Sequence, residues 1–293
     1  MVYGLLVVVG LGAFLFPFWL PVEALPSTAH AADAPLVTAA VAALAVAAVT
    51  LEVRRGVTTG ATVAVLGVLS ASAGLLGLLD LPGGGNGVFF LVVLAGAALG
   101  PRLGLLLGLC AMATAAVLTG GIGPWLPFQM LGLGWIGGGA GLVGRFTAGL
   151  PARAEVVTLA AYGWACGFAY GALLNLWFWP YVRGCGPTAW SPELSLAETL
   201  EHYRSFYALT SFGWDAAGAL ANAVLILLTG RAVLGALRRV GGRLDPVVEF
   251  DVPSERRGAD GRQPPVPSAT AGRSSSAMRL SMPLTNLPES SVE

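Results

Sequence analysis

Long apolar runs broken by short polar or Gly-Pro junctions dominate the first 240 residues. The runs 3–22, 35–53, 58–79, 102–119, 126–144, 155–180 and 206–229 each approach or exceed the length of a membrane span. At 1.5 Å rise per residue, about 20 apolar residues cross a hydrocarbon core about 30 Å thick. The run 87–100 is shorter, and Gly100-Pro101 separates it from the next. A residue before proline is pushed out of helical geometry, so this junction predicts two helices joined by a tight turn. Nowhere does the chain alternate apolar and polar residues as a barrel wall does. The pattern predicts an all-α integral membrane protein with eight spans. Beyond Arg243 the chain turns rich in Pro, Ser, Arg and acidic residues. Too little apolar surface remains there to offset the entropy of ordering, which predicts a disordered tail. Its Arg256-Arg257 pair reads as solvated rather than lipid-bound.

The arginines test the span count. With the amino terminus in the cytoplasm, the inner connections carry Arg54 and Arg55, then Arg102, then Arg145 and Arg153. The last span exits into Arg231, Arg238, Arg239 and Arg243, while the outer loops hold only Arg183 and Arg204, beside Glu193, Glu198 and Glu201. This is the positive-inside distribution. It predicts a multi-pass protein of the plasma membrane with both termini cytoplasmic. The first run is followed by Ala29-His30-Ala31, which resembles a signal-peptide cleavage site, but no basic residue precedes it. The run is therefore expected to stay as a helix; its removal would leave seven spans in the same orientation.

Composition narrows the chemistry. Of 293 residues, 55% are hydrophobic and 11% charged, with no net charge and a mean hydropathy of +0.74. Soluble domains carry about a quarter charged residues, so this chain lacks the polar surface to face water all round. All 16 basic residues are arginine, and no basic stripe could track a nucleic-acid backbone, so no nucleic-acid partner is expected. Cys110, Cys166 and Cys185 form no CxxC pair, and His30 and His202 are the only histidines, which leaves no metal site to expect. Nucleotide-binding signatures are absent, so energy from ATP must come from another subunit.

Given this topology, polar and aromatic side chains gather in the outer half of the bundle: Trp125, Gln129, Asn175, Trp177, Trp214 and Asp215. Trp177, Trp179 and Tyr181 also fit an aromatic belt at the interface. The inner half reads as almost wholly Ala, Val, Leu and Gly. Asp215 stands out, because a carboxylate near a helix centre costs about 2.5–3.5 kcal/mol on insertion scales. It must face a cavity or a partner, and Asn222 shares its helix face. The plain alternative is a hydrogen bond from these residues to Asn175 or Gln129. His30 reads as a solvated loop histidine near Asp33. Small residues four apart (Ala39, Ala43 and Ala47; Gly67-Ala71; Ser70-Gly74; Gly134-Gly138; Gly137-Gly141) mark close helix contacts.

Several strings then match a family. GAALGPRLG (Gly96–Gly104) is similar to the junction between the second and third helices of the substrate-binding (S) components of energy-coupling factor transporters. The run GGIGPWLPFQMLGLGWIGGGAG (Gly120–Gly141), with NLWFWP (Asn175–Pro180) and SFGWD (Ser211–Asp215), resembles an actinobacterial branch associated with cobalamin. The resemblance covers 58–240. It implies a six-helix S-component-like core preceded by two extra transmembrane helices in 1–57 and followed by the tail 241–293. It further implies capture of a vitamin-type small molecule, most directly cobalamin or another corrinoid, from outside. The implied partners are a membrane T component and two cytoplasmic ABC ATPases, with Gly60, Ala64, Gly67 and Ala71 facing the T component. Such a subunit is not an enzyme and needs no cofactor. The alternative class is an intramembrane enzyme on a lipid or isoprenoid, with Asp215 as acid or base.

Overall fold

The computed structural model describes residues 2–20, 28–54, 58–79, 87–183 and 186–244. The expected disorder of the tail lies outside these residues, as do Arg55, Cys185 and the turn 80–86. The chain divides into Met1–Val247 and Val248–Glu293, and the account below concerns the first unit.

Among the described residues every regular element is helical. They are α1 (Val2–Leu15), continued by a 3-10 turn at Phe16–Phe18, α2 (Ala34–Arg54), α3 (Gly60–Leu76), α4 (Val88–Leu99), α5 (Pro101–Thr119), α6 (Leu126–Thr147), α7 (Ala152–Phe178), extended by a 3-10 turn at Trp179–Tyr181, α8 (Leu196–Thr210) and α9 (Phe212–Leu244). Five of them (α2, α5, α6, α7 with its turn, and α9) are long and apolar enough to cross a membrane, and α1, α3 and α4 are shorter apolar helices. Their outward faces are greasy: Val46, Phe146 and Leu228 are 66%, 85% and 77% exposed. A surface of this kind belongs in lipid, and the protein is a membrane-embedded all-helical one.

Glycine sets the packing at the centre. Hydrocarbon gives helices no hydrophobic reason to associate, so close backbone approach supplies the attraction. Gly104 and Gly108 of α5 lie against Gly137 and Gly134 of α6; a Cβ on Gly104, Gly108 or Gly137 would run into the facing backbone, and one on Gly134 would press on the Leu105 carbonyl and the Leu109 side chain. Gly141 abuts Pro101, and Gly144 abuts Ala97 of α4. The four-residue repeats Gly134-Gly138 and Gly137-Gly141 thus serve contacts inside the molecule, and Gly74 does the same against Thr114. The Gly100-Pro101 junction is as expected: Gly100 has φ +94°, open to glycine, and Pro101 starts α5.

α4 is enclosed by its neighbours, with Leu91 to Ala97 all buried. Its all-round hydrophobicity requires that. Its 12 residues span about 18 Å, against about 28 Å for the 19 of α5. The short helix leaves room at its amino-terminal end. The α1–α2 pair packs beside α6 and α7 through Leu6, Phe14, Val41, Phe128 and Leu131, with Phe14 edge-on to Phe128 at 5.1 Å.

Three expectations change here. The final run 206–229 is not one element, because the chain breaks at Ser211. A capping box, in which Ser195 and Glu198 satisfy each other's amide groups, starts a separate helix α8 inside the loop 181–205. α9 then runs 33 residues from Phe212 to Leu244. The end of the bundle formed by the carboxyl termini of α2, α6 and α9 is not purely apolar. There Glu52 accepts hydrogen bonds from Tyr3 (2.8 Å) and Thr58 (2.9 Å), and buried Glu155 pairs with Arg238 (2.9 Å from Nη1 to Oε2). Finally, Trp179 and Tyr181 are no interfacial belt; both are buried, and the Trp179 indole donates to the Thr188 carbonyl at 2.8 Å.

Candidate functional site

The space above α4 is a cavity of about 500 Å³. Its walls come from one end of the bundle: the start of α4 (Val88, Phe89), the end of α5 (Met112 to Thr119), the start of α6, the second half of α7 and the first half of α9. Four sequence candidates meet there, Trp125, Gln129, Trp214 and Asp215, and Asn222 joins them. The two indoles are 42% and 67% exposed, and Trp125 is oriented by a 3.1 Å bond from Nε1 to the Gly121 carbonyl.

A stripe of glycines on α7 aligns α9 across this site. Gly163 faces Ile226, Gly167 faces Ala219, and Gly171 faces the Asp215 carboxylate so closely that a Cβ there would overlap it. Each step of four residues on α7 keeps the same face toward the antiparallel α9. Gly171 is therefore what allows a carboxylate to sit between two helices at this depth. The pairing holds Asp215 Oδ2 away from water without a hydrogen-bond partner. The Tyr207 hydroxyl, a potential donor, stands beside the carboxylate, though no hydrogen bond of good geometry joins the two. Burial, then the nearby Asp215, pushes that phenol above its ordinary value.

Two further wall groups are enclosed and unsatisfied, the Tyr170 hydroxyl and Asn222 Oδ1. Asn222 is buried, and its Nδ2 donates to the Gly218 carbonyl at 3.1 Å, which leaves the oxygen as the free end. The Tyr170 ring is fixed edge-on to Phe89 at 4.8 Å. Each enclosed polar atom without a partner costs on the order of 1–3 kcal/mol. A site with three such atoms around one cavity is under-satisfied by construction.

The other two candidates have different work. Asn175 ties α7 to the α8–α9 break: its Oδ1 accepts from Ser211 Oγ at 2.9 Å and its Nδ2 donates to Gly171 at 2.8 Å. Trp177 lies outside the cavity wall and stacks on His30, with centroids 5.2 Å apart and planes 17° from parallel. His30 is not a solvated loop residue; it is 1% exposed, with Nδ1 2.7 Å from Asp33 and Nε2 3.0 Å from the Trp177 carbonyl. That cluster fastens the α1–α2 connection to the end of α7. Neither Asp215 nor Asn222 bonds to Asn175 or Gln129, so the interhelical hydrogen bonds considered from sequence do not form.

Sequence reasoning passed over Tyr170 and the stripe Gly163-Gly167-Gly171. The stripe was legible as small residues at four-residue spacing. Tyr170 carried no signal, since a tyrosine in an apolar run reads as core. Gly60, Ala64, Gly67 and Ala71 all lie on the exposed face of α3, and nothing approaches within 4 Å of a Cβ built on Gly60 or Gly67. No cluster of three or more His, Cys, Asp or Glu side chains able to hold a metal occurs among the described residues. No family model matches the chain, and neither a curated protein nor a solved structure matches it at a significant level.

Proposed function

We propose that the chain is the substrate-capture membrane subunit of an energy-coupling factor type importer, taking a vitamin-sized molecule from outside the cell. The observation that carries this reading is the half-open cavity of about 500 Å³ with indoles at its mouth and unpartnered polar atoms in its wall. Ligand pockets of about 300–1,000 Å³ bury most of a drug-sized molecule, and unsatisfied wall groups gain on binding what they lose in the empty site.

An outward-facing cavity is supported by the arginines. Arg54, Arg102, Arg145, Arg153, Arg238, Arg239 and Arg243 sit at helix ends opposite the cavity, as the positive-inside rule favours for the cytoplasmic side. The unpacked small-residue face of α3 supports a membrane partner there, the T component of the resemblance, with cytoplasmic ATPases supplying the energy. Asp215 is the one carboxylate among the described lining residues, with no histidine or cysteine beside it. That lining favours binding over acid–base catalysis. A whole corrinoid is larger than the cavity, so cobalamin would seat one face or side chain within it and project above.

The test is binding by the full chain in lipid nanodiscs, read from the fluorescence of Trp125 and Trp214 and from calorimetry, across cobalamin and a panel of smaller vitamins. Saturable binding, lost on Trp214→Ala, is expected. A folded protein that binds none of them would overturn the proposal. So would labelling, from the outside of intact cells, of a cysteine placed after Leu244 in a variant whose three native cysteines are replaced by serine or alanine.

A further inference from the structure

The polarity of the unpartnered atoms points to the kind of ligand. This step rests on the capture reading above and adds the substrate class. Asp215 Oδ2 and Asn222 Oδ1 are enclosed without partners and lie about two turns apart along one face of α9; the amide oxygen, and the carboxylate when ionised, can only accept hydrogen bonds. Asn222 is buried with its amide nitrogen already engaged at Gly218, so it offers a ligand only its oxygen. The Tyr170 hydroxyl can act either way. No arginine pairs with Asp215 among the described residues, although Glu52 and Glu155 each have one within 4 Å. The carboxylates at the opposite end are thus neutralised by the chain itself, and the carboxylate in the cavity is not. At the mouth stand the two indoles, whose faces attract cations.

From these we infer that the captured molecule carries a cationic nitrogen head with N–H donors, an ammonium or a protonated aromatic amine, which enters past Trp125 and Trp214 to lie against Asp215 and Asn222. An anionic ligand would meet an uncompensated carboxylate in a poorly hydrated wall, where like charge is strongly unfavourable. A neutral ligand without donors would leave both acceptors unsatisfied.

The experiment uses ring-matched probes that differ in one substituent: pyridoxamine (ammonium), pyridoxine (neutral alcohol) and pyridoxic acid (carboxylate), with thiamine and cobalamin as larger cationic and neutral probes. Each is titrated into nanodisc-embedded wild-type protein and into Asp215→Asn and Asn222→Leu, with thermal unfolding confirming the fold of each variant. The expected order is ammonium over alcohol over carboxylate, with thiamine above cobalamin. Asp215→Asn should weaken the cationic probes about 10- to 100-fold, the loss of one hydrogen bond to a charged group, and change the neutral ones little. If a neutral or anionic probe binds best and keeps its affinity in Asp215→Asn, the substrate class is wrong while the capture site stands. If no probe binds the folded wild type, the capture reading and the class fall together. Should Asp215→Asn fail to fold, an unchanged preference for cations in Asn222→Leu at wild-type affinity would equally overturn the assigned contacts.

Discussion

Two glycine-to-alanine substitutions, identical in chemistry and both within helices, should move stability in opposite directions. At Gly137 a new Cβ would lie 2.8 Å from the Gly104 carbonyl carbon and 2.9 Å from a Val92 methyl, with the Gly104 carbonyl oxygen nearer still. Two of these atoms belong to the backbone of α5, which cannot rotate away, so α5 and α6 must separate along their closest contact. Overpacking of this kind costs about 1–3 kcal/mol or more. At Gly67 nothing lies within 4 Å of the added Cβ, so only helix propensity acts, a gain of up to about 1 kcal/mol. The intrinsic gain is common to both sites, and the difference between the variants isolates packing at roughly 1–3 kcal/mol. At about 2–4 °C per kcal/mol for a chain of this size, the midpoints should differ by roughly 2–12 °C. Thermal unfolding in one detergent, followed by intrinsic fluorescence, reads this directly. Gly137→Ala as stable as Gly67→Ala would refute the claim that α5 and α6 meet through bare backbone.

Gly171→Ala should drive the Asp215 carboxylate from its place and weaken cationic probes at least about tenfold; fluorescence titration measures it, and unchanged affinity would separate Asp215 from the site. Arg238→Met strands Glu155, whose side chain is 5% exposed. Because Arg238 is itself 41% exposed and solvent-screened, the loss should be about 1–3 kcal/mol rather than the larger value of a sealed pair. Adding Glu155→Gln should restore most of it in thermal unfolding. The Ser195 hydroxyl and amide hold the Glu198 carboxyl below its ordinary range. The cap is therefore complete above the unfolded value and is lost as pH falls through the lower folded one. Hydrogen exchange at the first turn of α8 should quicken on acidification in the wild type and stay level in Glu198→Gln, whose amide keeps the cap at every pH.

The spans were legible because a membrane helix writes itself as length and hydrophobicity, quantities local to each run. The Gly100-Pro101 turn was legible for the same reason: both residues limit their own backbone. α8 escaped notice because its start is a polar capping box within a loop that reads as polar, and its inward face is the aromatic pair Tyr203 and Phe206 rather than a stripe of leucines. The buried acids at the opposite end escaped because their partners come from distant positions. Glu155 meets Arg238 across 83 residues and Glu52 meets Tyr3 across 49.

Composition and periodicity alone settle that this chain is helical and lives in lipid, and they single out Asp215 as a residue needing a reason. What they leave open is which groups share its surroundings. Asn175 and Trp177 follow Tyr170 by five and seven residues along α7, yet Asn175 points to Ser211, and Trp177, on the same face as Tyr170, lies two turns farther along the axis and meets His30 instead of the cavity. Packing against Gly171 determines where the carboxylate lies, and the short α4 determines that there is empty volume beside it. A side chain's type is carried by its codon, but its neighbours are fixed only when helices close on one another. In this protein the glycines set how near that closure comes.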